Sequence, residues 1–468
     1  MRHRPLRLTL IILLLSSIVL LGASCSSEDA TLKPIKLKIW RVWDEEDSLA
    51  EIIKSYRSTH PNVEFEYRKL RYEEYKNELL AAWARGEGPD IFSIPNSWVG
   101  EYRDFIAALP ATLEIPKLVT QKACGFKKEQ RKVVDEVKTY TAKSLAAAFV
   151  PAVASDVIFY DAKGEAQIYG LPLGFDNLVL YYNRDILDRA SIPLPPKTWN
   201  ELLTQVPKLV KENDAGELTQ AAIALGASDN IPRYTDLLSL LMLQNGTSMG
   251  TLSEKNVFRS TLSKSTKNEE GDSFLPGAQA LTFYTDLANP AKQAYSWNAD
   301  LPDAFEAFTQ GQLAYFLGYA YHQPQIKDTA PNLNFDIAPL PQVSLNQQTN
   351  YANYWVESVY NNSENVNQAW DFLYYATSKN AVVSYLNATK NPSALRELVA
   401  IQAEQDPEVE VFVNQALTSV SWYHGRDFTK VEEVFKIMID GVVNKEFEAR
   451  EAVESAEKMI NQNEKLKE

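Results

Sequence analysis

The chain has 468 residues, of which 45% are hydrophobic and 23% charged, with a formal net charge of −14. That length exceeds what one compact core supports and points to two domains. An acidic chain without a basic stripe excludes nucleic acid and an anionic membrane surface as partners. Only two cysteines are present, Cys25 and Cys124, so a disulfide-stapled scaffold is excluded as well.

The first element is a leader. Arg2, Arg4 and Arg7 precede an apolar run from Leu8 to Leu21, and Gly22-Ala-Ser-Cys25 closes it. A bilayer-spanning helix needs about 20 apolar residues, and this run is shorter, so 1–24 reads as a signal peptide. Its end resembles the lipobox of bacterial lipoproteins, with Gly22 where that motif usually carries Leu. The resemblance implies lipidation at Cys25 and a polar tether over 25–35. The mature chain is then exported and anchored at the outer face of the cell membrane by lipid alone. Loss of the leader's three arginines takes the formal charge to −17.

The folded part opens on an alternating strand at Lys36–Trp40. Asp44-Glu-Glu-Asp47 supplies caps and acids for a helix start, and Leu49, Ile52, Ile53 and Tyr56 follow at helical spacing. After His60-Pro61-Asn62, Val63, Phe65 and Tyr67 alternate as a second strand. Tyr72, Tyr75, Leu79, Leu80 and Trp83 mark a second helix, and Ile91–Ile94 a short buried strand. This order predicts a parallel, doubly wound α/β layer. Residues 111–155, rich in Lys and Glu, are expected to form two helices on that layer. Strands are predicted at 167–172, 178–182, 313–317 and 335–341. Asn183 starts a helix, and Thr198 with Glu201 forms a capping box. Further helices are expected at 233–244, 276–289 and across 431–463, with a loop over 260–273.

Motifs for common chemistries are missing. The mature chain holds three widely spaced histidines, His60, His322 and His424, and no HExxH or CxxC, so no metal site is expected. No phosphate loop occurs, and no cofactor is expected. Aromatics are the positive signal, with 23 Tyr and 9 Trp, many at strand-to-helix junctions where open α/β sheets bind ligands. A flat ring beside Asp, Asn or Arg suits a sugar, whose C–H faces stack while its hydroxyls bond to polar neighbours. Strand alternation sends Trp40 and Tyr181 to the core and leaves Trp43 and Trp98 for an open cleft.

Gly88-Pro-Asp-Ile-Phe92 followed by Pro95-Asn-Ser-Trp98 resembles the extracellular solute-binding proteins of ABC transporters, family 1, the maltose-binding-protein-like group. Leu180-Tyr-Tyr-Asn-Arg-Asp-Ile-Leu187, Pro195-Pro-Lys-Thr-Trp-Asn-Glu-Leu202, Ala304 to Ala314 and Ala369-Trp-Asp-Phe-Leu373 are similar to further family segments, in family order. The resemblance implies two doubly wound α/β lobes of the type II periplasmic-binding-protein kind, joined by a multi-crossover hinge, with a helical C-terminus. It divides the chain into lobe 1 (31–173 and 335–380) and lobe 2 (175–334 and 381–468). It also implies a monomer that captures a small ligand in the interlobe cleft and delivers it to ABC permease subunits by closure, with no catalysis. Carried over position by position, the ligand would meet Trp43, Asp44 and Glu45, then Asn96, Ser97 and Trp98, then Asp176 and Asn177. Tyr234 beside Arg233, Tyr319, Tyr321, Trp355, Glu357, Trp422 and Arg426 complete the expected set. A carbohydrate is the favoured ligand. A cationic solute in an aromatic cage and a carbohydrate hydrolase working through paired carboxylates stand as alternatives.

Overall fold

The computed structural model describes residues 31–122, 128–267 and 271–467. The expected signal peptide over 1–24, Cys25 with the first part of the expected tether, and Cys124 lie outside these residues. In chain order, the strands of the two main sheets are β1 Ile35–Arg41, β2 Val63–Lys69, β3 Ile91–Pro95, β4 Val179–Asn183, β5 Lys211–Glu212, β6 Leu218–Ile223, β7 Leu313–Gly318, β8 Phe335–Ala338 and β9 Trp355–Val359.

The first sheet has the order β9-β3-β1-β2, and the second β8-β4-β7-β6-β5. β1 runs parallel to both β2 and β3, as the strand–helix alternation requires, while β9 closes the edge antiparallel to β3. β3 is buried at all five positions, which is why it reads as an unbroken apolar run. Leu37 and Ile39 enter the core from one face of β1, and helix Tyr72–Ala84 covers the layer with Tyr75, Leu79 and Trp83. Trp40 and Tyr181 are both buried. At Thr198 the hydroxyl accepts from Glu201 N, but the Glu201 carboxylate takes Lys197 N, one residue before the cap.

Two expectations are corrected. Residues 112–122 and 128–138 are not helical. Thr112–Lys122 and Lys128–Lys138 pair as one long antiparallel hairpin, and only 142–148 and 151–157 form the helices expected there. The Lys and Glu content hid an alternation that buries Leu113 and Ile115, and Val133, Val134 and Val137 are β-branched residues that favour a strand. The lobe boundaries also move. β8 pairs with β4 in the second sheet, although 335–380 was expected in lobe 1. Helix Lys379–Thr389 packs on helix Ala50–Thr59 of the first lobe, so the segment after 381 does not begin lobe 2.

The chain crosses between the lobes more than once. Leu171 bridges to Glu357 and Asn177 to Ala352, and Asn350–Tyr351 pairs with Ser419–Val420. Helices Phe428–Val443 and Ala449–Lys467 pack together against the second lobe. No helix among the described residues is long and apolar enough to cross a membrane.

Candidate ligand cleft

A cavity of about 410 Å³ lies between the lobes, walled by the carboxyl ends of β1 and β3, by β9, by the turn after β7 and by helix Phe428–Val443. Its floor is polar. Arg41 ends β1 on the same face as Leu37 and Ile39, so strand alternation drives a guanidinium into the core. Two neighbouring strands meet it there: Ser93 and Glu357 are opposed across β3 and β9. Arg41 Nε donates to Ser93 Oγ at 3.1 Å. Its Nη2 lies 2.8 Å from Asp44 Oδ2 and 3.1 Å from Glu357 Oε1. Tyr385 OH donates to Asp44 Oδ2 at 2.9 Å. Burial raises the Glu357 carboxyl above the usual range, and Arg41 opposes that rise.

The second lobe supplies a matching knot. Asp236 Oδ2 accepts from Arg233 Nε at 2.8 Å, Tyr319 OH at 2.6 Å and Asn353 Nδ2 at 3.2 Å. The Arg233 guanidinium lies 5.6 Å from the centre of the Tyr319 ring. Between floor and knot sits a box of aromatic rings. Trp43 is near-parallel to Tyr72 and to Tyr321, with ring centres 6.0 and 6.2 Å apart, and Trp355 stands edge-on to Trp43 at 6.2 Å. Tyr321 belongs to the second lobe and the other three to the first, so the box spans the cleft.

Nine of the fifteen expected positions line this cavity: Trp43, Asp44, Ser97, Trp98, Asp176, Tyr319, Tyr321, Trp355 and Glu357. Six do not, and each has another role. Asn96 donates to Asp156, and Asn177 donates to Phe412 O. Glu45 points outward to Lys69. Tyr234 OH donates to Glu432 O. Trp422 is buried and donates its indole N–H to Ser239. Arg426 pairs with Asp104 at 2.8 Å, outside the cavity. The sequence reading missed Arg41, Tyr72, Tyr385 and Glu432, all of them in the wall. Only Arg41 carried a local signal, as a charge on the apolar face of a strand.

Two wall carboxyls titrate near neutrality. Burial pushes Asp176 up to about 8, against main-chain N–H groups of Ala320, Asn177 and Tyr321 that favour its anion. Burial pushes Glu432 up to about 7, with Arg233 opposing. A carboxyl held above its unfolded value contributes stability that is complete below about pH 4 and lost as pH rises through its folded value. His322 moves oppositely: burial and Arg233 lower it to about 3, so its contribution is complete above about pH 6.5 and lost as pH falls. On these three groups the ligand-free protein is expected to melt highest near about pH 4 and progressively lower as pH rises to about 8. Asp176→Asn should flatten the alkaline limb in a fluorimetric melt series, and a melting temperature still rising at about pH 9 would contradict this account.

Comparison with known proteins decides the lineage. The family model described as bacterial extracellular solute-binding protein matches residues 51–411. The chain belongs to that family. Among curated relatives of this solute-binding protein, the maltodextrin-binding protein of Bacillus subtilis is 24% identical over 248 residues, covering 49% of this chain and 51% of the relative. The solved structure of the cyclic α-maltosyl-1,6-maltose binding protein from Arthrobacter globiformis superposes with a TM-score of 0.70 at 18% identity, covering 92% of this chain and 98% of that one. The cyclo/maltodextrin-binding protein complexed with maltotetraose gives 0.68 at 17% identity, covering 93% and 98%. The fold is thus the two-lobed, type II periplasmic-binding-protein fold. Among the described residues no cluster of His, Cys, Asp and Glu could hold a metal ion.

Proposed function

We propose that this solute-binding protein captures a carbohydrate in the interlobe cleft and delivers it, on hinge closure, to the permease of an ABC importer. The observation that carries the reading is the box of Trp43, Tyr72, Tyr321 and Trp355 over the polar floor of Arg41, Asp44 and Glu357. Rings stack on the apolar face of a pyranose, and the floor's charged groups hydrogen-bond to its hydroxyls. A ligand held by Trp43 and Tyr321 together touches both lobes, so it favours the closed state by its differential affinity for that state. Its sugar-binding relatives favour the same class.

The test is a thermal-shift panel of sugars, amino acids, polyamines and quaternary amines. One sugar class is expected to stabilise the protein by about 2.7 kcal/mol at 100-fold excess over its Kd. A reducing-end assay on the same panel should stay silent. A shift given only by non-sugars, or release of reducing ends, would defeat the reading.

The protein works as a monomer held near its transporter by a lipid on Cys25. Such a tether raises the effective concentration at the membrane without adding a contact. Cys25→Ser is expected to release the protein into the soluble fraction with its ligand-induced melting shift unchanged. Retention of the variant in washed membranes would point to another attachment.

A further inference from the structure

We infer that the ligand is an amino sugar, a carbohydrate bearing at least one protonated amine, from two carboxyl groups that share the cavity with the aromatic box and have no cationic partner among the described residues. The inference rests on the carbohydrate reading above and narrows it. Two guanidinium groups and four carboxyl groups line the cavity. Arg41 is committed to Asp44 and Glu357, and Arg233 to Asp236. Asp176 and Glu432 are left over. The Asp176 oxygens accept from main-chain N–H groups, Asn177 N at 2.8 Å and Ala320 N at 3.0 Å. The Glu432 side chain has no hydrogen-bond or ion-pair partner among the described residues. Both are half-buried, so the cavity still reaches them.

Their placement relative to the rings matters. The Asp176 charge acts on Tyr321 and the Glu432 charge on Tyr72, and those two rings flank Trp43. Asp176 accepts from Ala320 N, next to Tyr321 in the chain, and Glu432 lines the same cavity as Tyr72. An ammonium group there meets ring faces, which attract cations, and a carboxylate that lacks a counterion. A neutral sugar would leave both acids free to keep their protons, and a phosphorylated or acidic sugar would find both guanidinium groups already paired. The other groups that act on Glu432 are Arg233, Asp236 and Lys76, and those coupled to Asp176 are Tyr181 and Tyr321. Burial leaves Asp176 largely protonated and Glu432 about half protonated near about pH 7 in the unliganded wall. A bound cation reverses that, so amine binding should release protons to solvent, whereas neutral-sugar binding should not.

The experiment is calorimetry on the mature protein. The probes are glucosamine, galactosamine and the β-1,4-linked glucosamine disaccharide, each beside its N-acetylated counterpart. At about pH 7.5 one amine is expected to bind at least about tenfold tighter than its acetylated partner, about 1.4 kcal/mol. Proton release should be visible as a dependence of the heat on buffer ionisation enthalpy. Glu432→Gln should weaken that amine about tenfold or more. Because the Glu432 carboxyl has no partner to lose, this variant should fold even where Asp176→Asn does not. Acetylated sugars binding as tightly as the amines, with Glu432→Gln changing neither, would overturn the amino-sugar assignment and leave the carbohydrate reading standing. Silence from every amine and every neutral sugar would overturn both.

Discussion

Replacing Arg41 by Met is expected to cost about 3–5 kcal/mol of folding stability, the range seen when one partner of a buried charge network is removed. Arg41 is 4% exposed and Glu357 is 2% exposed. The guanidinium serves Asp44, Glu357 and Ser93 at once. Methionine keeps much of the stem's volume, so the loss isolates the charge. Two carboxylates would then face each other without a cation, and Asp44 already pushes Glu357 upward. Glu357 can escape by taking a proton, so the deficit should shrink as pH falls toward about 5. Arg41→Met with Glu357→Leu should recover much of it, because apolar replacement of a whole buried pair is often neutral. Urea denaturation of the three proteins checks this. A single-variant loss below about 1 kcal/mol would show that the floor tolerates an unpaired acid, contrary to the desolvation argument.

Trp43→Ala should do the opposite: leave stability alone and remove binding. Trp43 is 55% exposed, and exposed side chains outside a core change stability by about 0.5 kcal/mol or less. Yet its ring is the member of the box that meets Tyr72, Tyr321 and Trp355 together. Aromatic anchors at the centre of a recognition surface carry about 2 kcal/mol or more. The affinity for whichever sugar gives the melting shift is therefore expected to fall about 30-fold or more, with an unchanged ligand-free melting temperature. Trp98 is the contrast. It lines the same cavity but is only 5% exposed, so Trp98→Ala should cost about 3–5 kcal/mol of stability and confuse the readout. Calorimetry and a melt on Trp43→Ala separate the two effects. Unchanged affinity would remove the aromatic box from the site.

Much of the first lobe was legible because its signals are local. Period-2 alternation at Lys36–Trp40 and 3.6-period spacing from Leu49 to Trp83 each need only one element to be read. The paired strands 112–122 and 128–138 were misread for a related reason. Their charged residues suit a helix surface, and strand pairing is a contact between segments that composition does not reveal. Asn96 and Asn177 illustrate the same limit. Both sit at the expected junctions, but a buried amide turns toward whichever partner satisfies it, here Asp156 and Phe412 O.

By itself the sequence determined the lobe class and the turn that carries Trp43 and Asp44, because short-range pattern and turn chemistry specify these. Tertiary structure alone decided that Tyr385 and Glu432, more than 300 residues along the chain from Arg41 and Tyr72, complete the same cavity. It also decided that Asp176 and Glu432 lack counterions while Asp44 and Glu357 share one. Charge compensation depends on distances between segments that repeated crossings of the hinge bring together, and no local pattern encodes those distances.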